Sequence, residues 1–251
     1  MKPQADGTAD SGFTNPGSTV QSGSWDIRIA SGDVTLPGEL VIPGNAVGLV
    51  LFAHGSGSSR HSPRNQFVAR ALREAGIGTL LFDLLTPDEE SKDALTGHLR
   101  FDIGLLSQRL VTATRWVANH PQSRGSGLGY FGASTGGAAA LVAAASLGSG
   151  IDAVVSRGGR PDLAGDALSR VAAPTLLIVG GCDEPVLGLN DQAYAQLAGR
   201  KELAIIPRAT HLFEEPGALE EVARLAAQWF RQHLRPRESF PAEISTRNRS
   251  G

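Results

Sequence analysis

Apolar runs of strand length, separated by segments of helix length, are the feature that most limits what this chain can fold into. Residues 47–53 form a continuous apolar run, as expected of a strand buried on both faces. Further strand-like runs lie at 77–85, 127–131, 151–156, 174–180 and 202–207. Ser62-Pro63 opens the first intervening helix with an N-cap and a proline in the first turn. Phe67, Val68, Ala71, Leu72 and Ala75 then recur at helical spacing until Gly76 ends it. Residues 86–100 read as a polar loop, after which Ile103, Leu106, Leu110, Ala113 and Val117 mark an amphipathic helix. Residues 137–147, almost wholly Ala, Leu and Val, suit a buried helix. Shorter helices are expected at 163–171 and 187–197, and Leu219, Val222, Ala226, Trp229 and Phe230 line a last one.

Repeated strand–helix units of this length require parallel strands joined by right-handed crossovers. Residues 25–30 and 34–42 alternate in polarity around Ser31-Gly32-Asp33, which adds an antiparallel hairpin at a sheet edge. The expected fold is therefore α/β, with a mostly parallel sheet, an N-terminal antiparallel hairpin and helices on both faces. One domain is expected over 24–234, since neither an internal repeat nor a second core is visible. Residues 1–23 and 235–251 are polar and read as flexible tails.

Composition narrows the class of function. With 41% hydrophobic and 19% charged residues the chain has an ordinary globular balance, and its net charge of −2 gives no general attraction to nucleic acid or anionic membrane. A single cysteine, Cys182, excludes an intramolecular disulfide and any cysteine-rich metal cluster. No apolar run approaches the roughly 18 residues needed to span a bilayer. The N-terminal stretch lacks the apolar core of a signal peptide, so a cytoplasmic enzyme is the default expectation.

Chemistry concentrates at Gly132-Ala133-Ser134-Thr135-Gly136, between the strand at 127–131 and the helix at 137–147. A Gly-x-Ser-x-Gly in that setting is a nucleophile elbow, with the serine on a strained turn at the top of a sheet. The glycines matter because a Cβ at either position would collide with the neighbouring strand or helix. A serine hydroxyl is a weak nucleophile until a base, itself oriented by an acid, takes its proton. Asp183 follows the strand at 174–180, and His211 follows the one at 202–207. Ser134, Asp183, His211 is the chain order of hydrolases that carry this elbow. Asp183 could instead cap the next helix, and Glu184 or Asp162 could be the acid. His120, at a helix end, His233, continuing the stripe from Trp229, and His98, in the polar loop, suit the role of base less well. An oxyanion hole would be formed by the Thr135 N–H and a second donor from His54-Gly55-Ser56-Gly57-Ser58-Ser59, for which Ser56 N–H is chosen.

These segments together resemble the α/β-hydrolases of the dienelactone-hydrolase-like group. The resemblance covers residues 25–234 and rests on Phe52-Ala53-His54-Gly55-Ser56-Gly57, Gly129-Tyr130-Phe131-Gly132-Ala133-Ser134-Thr135-Gly136, Gly180-Gly181-Cys182-Asp183 and Ala209-Thr210-His211-Leu212-Phe213. It implies an α/β-hydrolase fold and acyl transfer without a metal or organic cofactor. Dienelactone hydrolases use a cysteine nucleophile where this elbow has Ser134, which favours a serine esterase mechanism over dienelactone as the substrate. The chain also resembles hydrolase modules fused to phosphoribosyltransferase domains, and no such domain is expected in these 251 residues.

The expected activity is thus hydrolysis of small to medium carboxylic esters by Ser134, Asp183 and His211, with a small-molecule ester as substrate, neither nucleic acid nor membrane as partner, and the oligomeric state left open. A peptidase or amidase on the same residues is one alternative, and a non-catalytic binding module on the same fold another. Arg60, Arg64, Arg157 and Arg160 lie near the expected mouth of the site. They could hold an anionic substrate through paired hydrogen bonds, or form salt bridges to Asp162, Glu89 or Glu90.

Overall fold

Residues 22–237 are described by a computed structural model. The hairpin is present as β1 (Gly23–Ser31) and β2 (Val34–Ile42), paired antiparallel across a turn in which Gly32 takes a φ of +59°. The remaining strands are β3 (Leu49–Ala53), β4 (Gly78–Phe82), β5 (Leu128–Ala133), β6 (Ala153–Arg157), β7 (Thr175–Gly180) and β8 (Lys201–Ile206). They form one sheet in the order β1-β2-β4-β3-β5-β6-β7-β8, antiparallel from β1 to β4 and parallel from β4 onward. The chain winds one way from β3 to β4 and the other way from β5 to β8. The loops after β3 and β5 therefore meet at the switch point, where parallel sheets open a crevice beyond their strand ends.

Helices α1 (Pro63–Glu74) and α6 (Ala218–His233) cover one face of the sheet. Helices α3 (Ile103–Asn119), α4 (Thr135–Leu147) and α5 (Glu184–Gln196) cover the other. The strands β3 to β7 are buried along their whole length, as sandwiching between two helical layers demands. The Ala-rich face of α4 lets it lie close against both the sheet and α3, and residues from Ala138 to Leu141 are fully buried. Tyr130 on β5 is also fully buried, and its hydroxyl meets that of Thr114 on α3 at 2.5 Å. This satisfies a polar group that would otherwise cost about 1–3 kcal/mol to bury.

Several elements depart from their expected form. Val47 and Phe67 lie in apolar patterns yet are exposed, Val47 because the strand begins only at Leu49. The expected helix at 163–171 is a 3-10 segment, Pro161–Arg170, kinked at Gly165. The largest difference is at 86–100, expected as a loop, where α2 (Pro87–Thr96) is followed by a 3-10 turn at Leu99–Phe101. Thr86 and Glu89 form a reciprocal capping box at its start, and Gly97 ends it at a φ of +65°. Residues 235–237, assigned by sequence to the tail, continue the described structure, with Arg237 bonded to Ser149 and Asp152. The rest of both expected tails lies outside the described residues.

Helix α2 is fastened by charge rather than by apolar area. Arg109, buried on α3, donates to the Leu84 carbonyl at 2.6 Å and to both carboxylate oxygens of Glu89. Asp93, also buried, accepts from the Leu99 N–H at 2.6 Å and pairs with Arg100. Each pair joins one buried member to a partly exposed partner, so losing one of its charge-assisted hydrogen bonds costs about 1.5–3 kcal/mol. Arg109→Met should therefore destabilise the protein by about 2 kcal/mol at neutral pH, read from urea unfolding. The hydrogen bonds from Arg109 draw the Glu89 carboxyl down from its ordinary 4.5 to about 2. A depressed folded-state value means the stabilisation is complete above pH 4.5 and fades as pH falls towards 2. The gap between wild type and variant should narrow over that interval.

Candidate active site

Ser134 ends β5 and opens α4 with φ 52° and ψ −122°, a backbone state that costs a non-glycine residue about 1–3 kcal/mol. Its neighbours hold it there. Ser134 N–H donates to the Arg157 carbonyl at 3.2 Å, and its own carbonyl accepts from Gly137 N–H at 2.9 Å and Arg160 N–H at 3.1 Å. A Cβ at Gly136 would lie 2.1 Å from the Ala53 carbonyl oxygen, and one at Gly132 would lie 2.5 Å from that of Gly136. Both elbow glycines are thus required by the approach of β3 and of the helix start. The expected turn, strand before it and helix after it are all present.

Asp183 occupies the N-cap position of α5 but makes no capping hydrogen bond. Its Oδ2 instead lies 2.6 Å from Nδ1 of His211, on the neighbouring loop after β8. That contact assigns the proton to Nδ1 and leaves Nε2 free to accept one. The loop carrying His211 is shaped by left-handed backbone at Arg208 (φ 62°) and Phe213 (φ 56°), and by Thr210, whose N–H and hydroxyl both donate to Glu215. Ser134 and His211 border one cavity, with no hydrogen bond between them among the described residues. Such bonds often tighten only around substrate. Of the other acids weighed, Asp162 is paired with Arg160, and Glu184 sits in the first turn of α5. His120 stacks on Trp116 and His233 lies against Trp229, while His98 precedes the 3-10 turn at Leu99–Phe101.

The loop after β3 passes directly against the elbow. A Cβ at Gly55 would come within 3.1 Å of both the Ala133 carbonyl oxygen and the Ser134 Cβ. His54 anchors this loop from the buried side. Its Nε2 accepts from Leu84 N–H at 2.9 Å, and its Nδ1 faces the Gly55 carbonyl at 3.0 Å. Those partners require a neutral ring with its proton on Nδ1, and burial lowers the pKa of His54 in the same sense. In a trans peptide the carbonyl and the following N–H point to opposite sides. With the Gly55 carbonyl turned to His54, the Ser56 N–H points away from it. Neither Ser56 N–H nor Thr135 N–H is used by another acceptor among the described residues.

The four arginines separate into paired and unpaired groups. Arg60 donates its backbone N–H to Asp83 at 2.7 Å and its guanidinium to the same carboxylate. Arg160 grips Asp162 through two bonds of 2.9 and 2.7 Å. Arg64 makes one long contact of 3.4 Å with the exposed Glu214. Arg157 alone of the four makes no side-chain hydrogen bond or ion pair among the described residues, although the residue is only 7% exposed. Its guanidinium lies 5.6 Å from the centre of the Phe213 ring, and burial, then the nearby Arg64, pushes its pKa down to about 10. Sequence alone offered no means of separating it from the others, because the separating fact is a missing partner.

No helix of the described residues is long and apolar enough to cross a membrane. Nor, among those residues, does any group of three or more His, Cys, Asp or Glu side chains stand where it could hold a metal ion.

No family model matches the chain. It is 60% identical to the dienelactone hydrolase from Anabaena variabilis, whose crystal structure superposes with a TM-score of 0.83 over 86% of this chain and 100% of that one. The esterase Est1E from Butyrivibrio proteoclasticus has the same fold at a TM-score of 0.69 and 16% identity, over 82% of this chain and 98% of its own. A protein of two Mycobacterium tuberculosis strains, named "putative phosphoribosyl transferase", is 56% identical over 209 residues, or 83% of this chain. The chain spans only 46% of that relative, about half its length. The near-complete match to the Anabaena protein, together with the elbow and the sheet order, shows that the chain belongs to the dienelactone-hydrolase-like α/β-hydrolases.

Proposed function

We propose that this protein is a serine hydrolase that cleaves carboxylic esters through an acyl-enzyme. The observation that carries the reading is the 2.6 Å contact between Asp183 and His211 beside a left-handed Ser134 on the same cavity. In the first step His211 Nε2 takes the Ser134 proton as Oγ attacks the ester carbonyl. The carbonyl oxygen gains negative charge and is met by the Ser56 and Thr135 N–H groups, each worth about 2.7–4 kcal/mol to the transition state. The C–O bond to the alcohol then breaks, and the proton held by His211 passes to the leaving oxygen. A water, deprotonated by the same nitrogen, attacks the acyl-serine, and the acid departs with Ser134 restored. Asp183 holds the imidazole in the reactive tautomer and offsets its charge when protonated. The sequence of steps draws on no metal or organic cofactor.

The transferase name belongs to a relative about twice as long as the segment matched here, whereas the dienelactone hydrolase is matched over its full length. Hydrolysis is therefore the activity we carry over. Serine in place of the family's cysteine gives a harder nucleophile that depends wholly on its base, in keeping with the close His211–Asp183 pair.

Treatment with a fluorophosphonate, followed by intact-mass measurement, should give one stoichiometric adduct on wild type and none on Ser134→Ala. Absence of the adduct on folded wild-type protein would refute the reading. Asp183→Asn should lower kcat by about 10³- to 10⁴-fold with little change in KM, since it spoils the tautomer rather than the binding surface. A loss confined to KM would remove Asp183 from the proposed mechanism.

A further inference from the structure

Two cavities adjoin the elbow, and the loop of Gly55, Ser56 and Ser58 is a wall common to both. One, of about 300 Å³, is lined by Ala94 of α2, by Leu84 and Leu106, and by Thr135. The other, of about 260 Å³, is lined by Ser134, His211 and the start of α1. Since no hydrogen bond joins Ser134 to His211 among the described residues, main chain must set the distance between them. The main chain that touches both is the turn Arg157-Gly158-Gly159-Arg160 at the end of β6. Its first carbonyl accepts from Ser134 N–H and its last N–H donates to the Ser134 carbonyl, so it grips the nucleophile on both sides. Gly158 takes a φ of +50°, and a Cβ there would lie 3.2 Å from the His211 carbonyl oxygen and 3.6 Å from the His211 Cε1. The same turn therefore backs the base.

Two bonds hold the middle of this turn. Gly158 N–H donates to the Ile178 carbonyl on β7 at 2.7 Å, and the Gly159 carbonyl accepts from Nδ2 of Asn190 on α5 at 3.0 Å. The other Nδ2 proton goes to the Val186 carbonyl at 2.8 Å, and two carbonyl partners fix which end of the amide faces the turn. Asn190 is fully buried, and its Oδ1 has no partner among the described residues. An unmet buried acceptor offsets much of what the two bonds add to stability, so the residue's main contribution is position. Its helix is the one that Asp183 begins, so α5 carries both the acid and the tie to the turn. We propose that Asn190 is a positioning residue for the hydrolytic reaction, which fixes the turn at 157–160 and through it the distance between Ser134 Oγ and His211 Nε2. This rests on the serine esterase reading. No proton passes through Asn190; its amide acts only by keeping the base within reach of the hydroxyl.

The test is Asn190→Ala, assayed on 4-nitrophenyl acetate with rates normalised to the serine titrated by a fluorophosphonate. Its kcat per titrated serine should fall by about 10- to 100-fold, the cost of a slip of about 1 Å between reacting groups. KM should hold, because the walls that receive the ester are untouched, and the rate of fluorophosphonate labelling should fall by the same factor as kcat. A purely structural role would lower Tm and the titratable fraction and leave kcat per titrated serine where it was. Gly159→Ala displaces the same turn without touching Asn190, since the new Cβ would lie 1.9 Å from Ser156 Oγ, an atom that Ser156→Ala removes. The single variant should lose kcat, and the double variant should recover most of it. An unchanged kcat per titrated serine in Asn190→Ala would overturn the inference. Should that variant not fold, an unchanged kcat in Gly159→Ala, or a loss that Ser156→Ala does not restore, would overturn it instead. Wild type that takes no fluorophosphonate would refute the esterase reading and this inference with it; labelled wild type with unaffected variants would remove the inference alone.

Discussion

The contact on which the arrangement depends is backbone against backbone at the end of β3. Gly136 lies so close to the Ala53 carbonyl that a single methyl group there would stand 2.1 Å from its oxygen. That approach brings the first turn of α4 over the sheet, tips Ser134 into left-handed backbone and sets the Gly55 peptide beside it. Three hydrogen bonds to the main chain of Ser134, from Gly137 and Arg160 and to Arg157, keep the strained turn from relaxing. The strain is local, while its support comes from β3, β6 and the loop beyond β6. Tertiary packing, rather than any preference of the pentapeptide, creates the elbow.

Charge is handled by a consistent pattern. Asp83 is met by Arg60, Asp93 by Arg100, Glu89 by Arg109, Asp152 by Arg237 and Asp162 by Arg160. In each of these pairs a carboxylate that leaves bulk water has a guanidinium against it, as desolvation requires. Arg157 departs from that pattern, and it does so on the cavity that contains Ser134 and His211.

Most of the fold was legible because it depends on period and punctuation. The buried strands announce themselves as unbroken apolar runs, and α1 and α3 by their stripes and caps. The order Ser134, Asp183, His211 was readable because each residue follows a strand end in a parallel sheet, where loops converge. Helix α2 was missed because its stabilisation comes from Arg109 and Arg100, outside its own range, and its surface is too polar to show a stripe. Thr86 and Glu89 did carry the signal, a capping box three residues apart with a proline between them. The separate fates of the four arginines were not legible, since Asp83 and Glu214 are far from Arg60 and Arg64 in sequence and meet them only in the folded chain.

The shared wall has a consequence for how such a protein can change. Gly55, Ser56 and Ser58 border both cavities, and the same stretch carries the Ser56 N–H that turns away from His54. A substitution that enlarges one cavity by moving this wall must shrink the other and tilt that N–H as well. Rate and selectivity are then mechanically coupled through four or so residues of main chain. Variation that keeps the rate intact is confined to the far sides of the cavities, to α2 and Leu106 on one and to α1 on the other. Divergence in substrate preference among chains of this build should therefore run along those outer walls while the loop between them stays fixed.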